Sequence, residues 1–219
     1  IEKFSNPILE TVGATKVGIQ TGDNDRFLRL WHEVNMPNIK FNIASYEQSK
    51  QYPIAWVPYS KGGEARRWYG NNDLVVNWND GGDYLKNFTD AKGNKIATLT
   101  NRETYFKPAI TWSLISSNGF AARLRPSGFI FDVGGMSAFP IKDENTHYLI
   151  ALLNTKISFE FLKVLNPTMA FQKGDISRIP IILAPNEQIN ELAQSCISIA
   201  KQDWDSREVS WDFEQSPLL

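Results

Sequence analysis

The stretch "WVPYSKGGEARRWYGN", residues 56 to 71, gathers Lys61, Arg66 and Arg67 around the pair Gly62–Gly63. Glycine lets a backbone approach another surface closely, and the cations supply donors for phosphates or base edges. Arginine can grip guanine O6 and N7 with two nitrogens, whereas lysine acts as a point charge. The chemistry open to these residues is therefore recognition of a polyanion. The plainer reading is a solvated charged loop. Trp68 and Tyr69 could stack on an exposed base, although aromatics in a strand-rich domain belong more often to the core.

Two other places carry comparable residue types. In "FAARLRPSGF" a spacing of two puts Arg123 and Arg125 on one face of a strand, where like charges repel unless an anion lies across them. The partner could equally be a carboxylate on a neighbouring strand. In "TGDNDRF", Gly22 and Asn24 suit positive φ and the aspartates can bond nearby backbone, as in a structural turn. A functional reading points Asn24 and Arg26 outward from a strand junction. The second glycine pair, Gly134–Gly135 in "FDVGGMSAF", reads as a bulge or tight turn after Asp132.

Arrangements for catalysis are thin. No Gly-x-Gly occurs, so the dinucleotide fingerprint is absent, and two histidines leave little room for a Ser-His-Asp or Cys-His set. Cys196 with His32 and His147 makes no zinc pattern, and one cysteine excludes an intrachain disulfide and suits a reducing compartment. Asp23 with Asp25, and Asp203 with Asp205, fit capping or surface roles. No catalytic residue and no metal ligand is therefore expected. Net charge is −1, so a nucleic-acid contact must come from a local patch. Charge is indeed uneven: residues 61–67 sum to +2 and 102–125 to +3, against −4 for 203–214. No apolar run reaches the length of a bilayer span and no secretory pattern is present, so a cytoplasmic address without membrane contact is expected. Beginning at Ile1 rather than Met, the chain is expected to be a fragment of something longer.

These residues need a scaffold. Short β-branched or aromatic runs punctuated by Gly, Pro, Asn or Asp predict strands at 16–20, 27–34, 39–44, 74–77, 109–115, 120–124 and 129–133. A helix is predicted from Asp83 as N-cap through Phe88. From Thr146 the apolar residues recur every three or four positions, predicting a helix pair broken near Asn154 and stopped by Asn166-Pro167. A turn and a buried strand at 179–183 should follow, then a helix starting near Pro185 with Ile189, Leu192, Ala193, Cys196 and Ala200 on one face. The expectation is an α+β fold: a mixed or antiparallel, strand-rich part over 1–142 and a helical part over 143–219 with a spacer-like last helix, packed as one unit.

In order along the chain, "GIQTGDNDRFLRLWHEV", "WVPYSKGGEARRWYGN", "YFKPAITWSLISS", "GFIFDVGG", "LIALLNTKISFEFLKVLNPTMAFQKGDISRIPI" and "DWDSREVSWDFEQSPLL" resemble the C-terminal region of BREX phage-defence adenine-specific DNA methyltransferases and related type IIG restriction-modification enzymes. The section from "LLNTK" to "PNEQI" is also similar to the passage from a target recognition domain into the spacer helix of a type I specificity subunit. The resemblance implies a domain that reads a short asymmetric duplex and presents an adenine to a separate catalytic domain. That domain would hold S-adenosylmethionine and an Asn-Pro-Pro-aromatic motif. Asn6-Pro7-Ile8 and Asn166-Pro167-Thr168 lack the second proline, so this stretch should hold no cofactor and methylate nothing itself. Expected DNA contacts are Lys61, Gly62, Gly63, Arg66, Arg67, Arg123 and Arg125, helped by Asn24 and Arg26. Expected partners are double-stranded DNA, the parent's own methyltransferase domain and other defence-system proteins. A protein-interaction domain of a defence complex is the alternative, and carbohydrate binding through Trp, Asn and Asp a third; steep salt dependence would single out DNA.

Overall fold

A computed structural model describes residues 7–182, 187–216 and 218. Its strands form two four-stranded sheets. The first joins β1 (Gly13–Lys16), β8 (Ser137–Pro140), β5 (Ala109–Trp112) and β6 (Ala122–Arg125) in that order, all antiparallel. The second joins β2 (Leu28–Leu30), β4 (Leu74–Asn77), β3 (Trp56–Ser60) and β7 (Ile130–Phe131), with β3 and β7 parallel. Seven α-helices are present among the described residues: α1 (Asn24–Phe27), α2 (Tyr46–Ser49), α3 (Asp83–Asn87), α4 (Thr146–Leu153), α5 (Lys156–Leu165), α6 (Lys173–Ser177) and α7 (Glu187–Asp205). The α+β class and the mixed and antiparallel pairing are as expected. None of these helices is long and apolar enough to cross a membrane.

Each sheet has its own apolar core. Ile110, Trp112, Ala122 and Ala138 of the first sheet pack with Leu149, Ile150, Leu153, Ala193 and Ile197 of α4 and α7, so this cluster crosses position 142. The second is aromatic: Phe27, Tyr59, Trp78, Tyr105, Phe106 and Phe131 surround Val57, Val76 and Ile130. Burying side chains of this size stabilises by about 2 kcal/mol each.

The break between α4 and α5 does more than end a helix. Asn154 accepts from the N–H of Ala122 (3.0 Å) and donates Nδ2 to its carbonyl (2.9 Å), completing the edge of β6 at the residue where the Trp68 bridge begins. Thr155 then caps α5 by accepting from Ser158 N–H, and α5 stops at Asn166 because Pro167 disfavours helix in the residue before it. Asn154→Ala leaves both edge groups without this partner, and is expected to lower stability by about 2 kcal/mol in urea unfolding.

Several predicted elements differ. The strand predicted at 16–20 is β1 at Gly13–Lys16, followed by single bridges at Ile19 and Gln20. The run 27–34 holds only the three residues of β2, between α1 and a 3₁₀ turn at Trp31–Glu33. At 39–44 there is one bridge, Ile39 to Trp56, and at 179–182 one, Pro180 to Ile8, with Ile179 and Ile181 buried as irregular chain; Leu183 and Pro185 lie outside the described residues. Gly82, with left-handed backbone, precedes α3 where Asp83 was expected to cap it. β3 and β8 were not anticipated. In β3, Pro58 lies opposite Val75 and pairing with β7 begins only at Tyr59, so a residue that weakens a strand signal is tolerated here.

Candidate functional site

The loop after β3 links the two sheets. It leaves the second sheet at Ser60 and rejoins the first at Trp68, whose N–H donates to Ala122 carbonyl (2.8 Å) while its own carbonyl accepts from Leu124 N–H (2.8 Å). Between these anchors Gly62 and Gly63 have φ of +100° and +96°, a region closed to most L-residues. The turn Val133–Gly135, capped by Asp132 accepting from Gly134 N–H, packs against them: a Cβ on Gly62 would sit 2.5 Å from Gly134 carbonyl oxygen. The two glycine pairs, unrelated in sequence, thus face each other. Tyr59 hydroxyl donates to the other Asp132 oxygen (2.5 Å), tying the turn to β3.

The same loop is held from beneath. Gly62 carbonyl accepts from Arg123 Nη2 (2.7 Å) and Asn71 Nδ2 (2.8 Å), and Gly63 carbonyl from Ser113 Oγ (2.7 Å). This corrects the expectation for the paired arginines. Arg123 and Arg125 do share a face of β6, but that face is inward and each side chain is 1% exposed. Burial lowers Arg123 to a pKa of about 10, helped by repulsion from Arg66 and opposed by Asp73. Arg125 is lowered to about 9 by burial and then by Arg123. Arg125 donates to Ser137 Oγ (2.8 Å) and Lys107 carbonyl (3.4 Å), lies over the rings of Phe131 and Phe139, and leaves its Nε unpartnered. Neither guanidinium is in an ion pair among the described residues. Arg123 braces the loop from inside and Arg125 ties β6 to Ser137 and Lys107, so both point inward.

What the loop presents outward is different. Lys61 is half-buried and Arg67 exposed, and neither side chain meets a partner among the described residues. No backbone N–H of residues 62–67 donates to a described residue. Arg66 pairs with Asp203 (Nη1 to Oδ2, 3.2 Å) and lies over the Trp204 ring at 5.0 Å. Lys61, Arg66 and Trp204, with Asn71, Asp73, Leu74, Arg207 and Val209, line an open cleft of ≈ 580 Å³ between the loop and the end of α7. Burial raises the Asp73 carboxyl above its ordinary range, with Arg123 opposing. Trp68 and Tyr69 belong to the interior: Tyr69 is buried and Trp68 packs on the first core.

Asn24 and Arg26 lie elsewhere. They sit in α1, with Asp23 accepting from Arg26 N–H, Thr21 Oγ1 donating to Asn24 Oδ1 and the Arg26 guanidinium 4.5 Å from the Phe88 ring centre. In the register Leu30, Leu74 and Tyr59 align at one end of the second sheet and Leu28, Val76 and Val57 towards the other. The Lys61 loop leaves from the first end and α1 adjoins the second, so the fold does not bring these two groups together. The site residues missing from the sequence reading are Asn71, Asp203 and Arg207. Opposite charge on residues 61–67 and 203–214 was the signal that pointed to two of them.

No family model matches the chain. It is 37% identical over 218 residues to the adenine-specific methyltransferase PglX of Lacticaseibacillus casei (strain Zhang), a match covering 99% of this chain and 18% of that protein. It is 36% identical over 206 residues to the adenine-specific methyltransferase BrxX of Escherichia coli O9:H4 (strain HS), covering 92% of this chain and 16% of that protein. The chain is therefore homologous to parts of proteins bearing the name adenine-specific methyltransferase, and spans less than a fifth of their length.

Proposed function

We propose that this chain is the DNA target-recognition region of an adenine-specific (N6) DNA methyltransferase of a phage-defence system. It would bind a short asymmetric duplex site and position the target adenine for a catalytic region in the rest of a longer protein. The observation that carries this reading is the near-complete match of the chain to under a fifth of two adenine-specific methyltransferases. The outward cations and unpaired amides of the braced loop support it, because phosphates are gripped by such donors and rigid presentation lowers the ordering cost of binding. Methylation needs the adenine flipped out of the stack, so the task of this region is positioning.

S-adenosylmethionine would supply the methyl group when bound to the longer protein. The residues here do not fit it: the sequence has no Gly-x-Gly loop, and Glu64, Asp73 and cations mix along the cleft rather than form an apolar adenine slot. The alternative, a protein-interaction domain, draws on Ile157 and Val164, exposed apolar side chains seven residues apart on one face of α5. The parent's methyltransferase domain or another defence protein would cover that face.

Lys61→Ala with Arg67→Ala in the intact protein is expected to weaken duplex binding and to make its log–log salt dependence shallower by about 1.8, two phosphate contacts' worth. In cells, methylome sequencing should show one asymmetric adenine-methylated motif that is lost or relaxed in this double variant. Unchanged motif and occupancy would mean the loop is structural or faces a protein.

A further inference from the structure

Asp203, in the last turn of α7, lies between two guanidinium groups. Its Oδ2 is 3.2 Å from Arg66 Nη1, and Arg207 Nη2 reaches Oδ1 at 3.0 Å and Oδ2 at 3.2 Å. Each arginine thus uses a single nitrogen, leaving the rest of its fork for another anion. We propose that Asp203 holds the place of a DNA phosphate between Arg66 and Arg207, and that a backbone phosphate of the bound duplex replaces it. The inference rests on the function proposed above and adds Arg207 as a phosphate contact and Asp203 as a gate.

Five points support the exchange. The Asp203 side chain is 49% exposed and bonded to two arginines that line the open cleft, and an ion pair so exposed is weak and screened by water. A phosphate offers more acceptor oxygens than a carboxylate and can be held by two nitrogens of each guanidinium. The cleft already has a third cation in reach: Lys61 lines it without a partner among the described residues. Buried Arg123 lies beneath Gly62 and adds positive field, offset in part by Asp73. Arg66 would stay positioned after the exchange, because it also rests on the Trp204 ring.

The test is duplex affinity of the intact protein by fluorescence anisotropy, on a duplex containing its methylated motif, at low and moderate salt. Asp203→Asn keeps the shape and removes the competing charge, and should tighten binding about fivefold at low salt, the scale of one exposed ion pair. Arg207→Ala should weaken it about tenfold. Thermal unfolding close to the parent's would establish that both variants are folded; Asp203→Ser serves should Asn perturb the helix end. If Asp203→Asn weakens binding or leaves it unchanged while Lys61→Ala with Arg67→Ala weakens it, the carboxylate merely clamps the arginines and the exchange is wrong. If none of the variants alters affinity, the assignment of this loop to DNA fails and the exchange with it.

Discussion

Gly62→Ala is expected to lower stability by about 3 kcal/mol and to remove most duplex affinity. Two effects add at this position. An L-residue at φ +100° is strained by about 1–2 kcal/mol, and the new methyl carbon would lie 2.5 Å from Gly134 carbonyl oxygen, which is backbone and cannot rotate away. Relief requires the loop to lift from the 133–135 turn, stretching the Arg123 and Asn71 bonds to Gly62 carbonyl. Gly63→Ala is the matched control. It shares the positive φ, but its nearest neighbour is the Asn71 side-chain amide at 3.0 Å and the residue is exposed, so the loss should be about 1 kcal/mol with binding largely kept. Urea unfolding beside anisotropy separates the two; equal losses would show that the close approach to Gly134 carries no weight.

Arg125→Met should raise stability at pH 7 by about 1–3 kcal/mol, read by denaturant midpoint. A buried charge without a counter-ion is often less stable than an apolar side chain of similar volume. Arg125 fits that case: among the described residues it has no carboxylate partner, its Nε is unpartnered, and it repels Arg123. Removing it strands little, because Ser137 Oγ also donates to Gly135 carbonyl, and a thioether packs well on Phe131 and Phe139. The pH dependence has a definite sign. The unfolded chain holds this proton with arginine's ordinary, much higher pKa and the folded chain with about 9, so the penalty is full below about pH 9 and fades as pH rises above it. The advantage of Met over Arg should accordingly be smaller at pH 10 than at pH 7. Destabilisation at pH 7 would mean that the Ser137 and Lys107 hydrogen bonds outweigh desolvation.

Elements set by local rules were legible in the sequence. The helix pair broken at Asn154 and stopped at Pro167 has its apolar period and its breakers in one stretch. The run "LVVN" became β4 because β-branched residues with flanking Asp and Asn signal a strand without outside help. β3 hid behind Pro58, and β8, with small Ser137 and Ala138, owes its pairing to β1 and β5 on either side. Likewise 39–44 has the composition of a strand yet meets only one partner residue.

At the site, residue types located the loop, and nothing but tertiary contacts decided which of its cations face out. A spacing of two says that Arg123 and Arg125 share a face, as they do; whether that face meets water depends on Gly62, Ser113 and Ser137 lying across it from distant parts of the chain. The meeting of two glycine pairs seventy residues apart, and of Arg66 with Asp203, follows from how the two sheets and α7 close on one another. Local sequence determined the helices, the breaks and the presence of a cation-rich, glycine-paired loop, because those depend on near neighbours and side-chain chemistry. Long-range packing decided bracing, exposure and the carboxylate held between two arginines, because burial and charge pairing depend on residues that only the fold brings together.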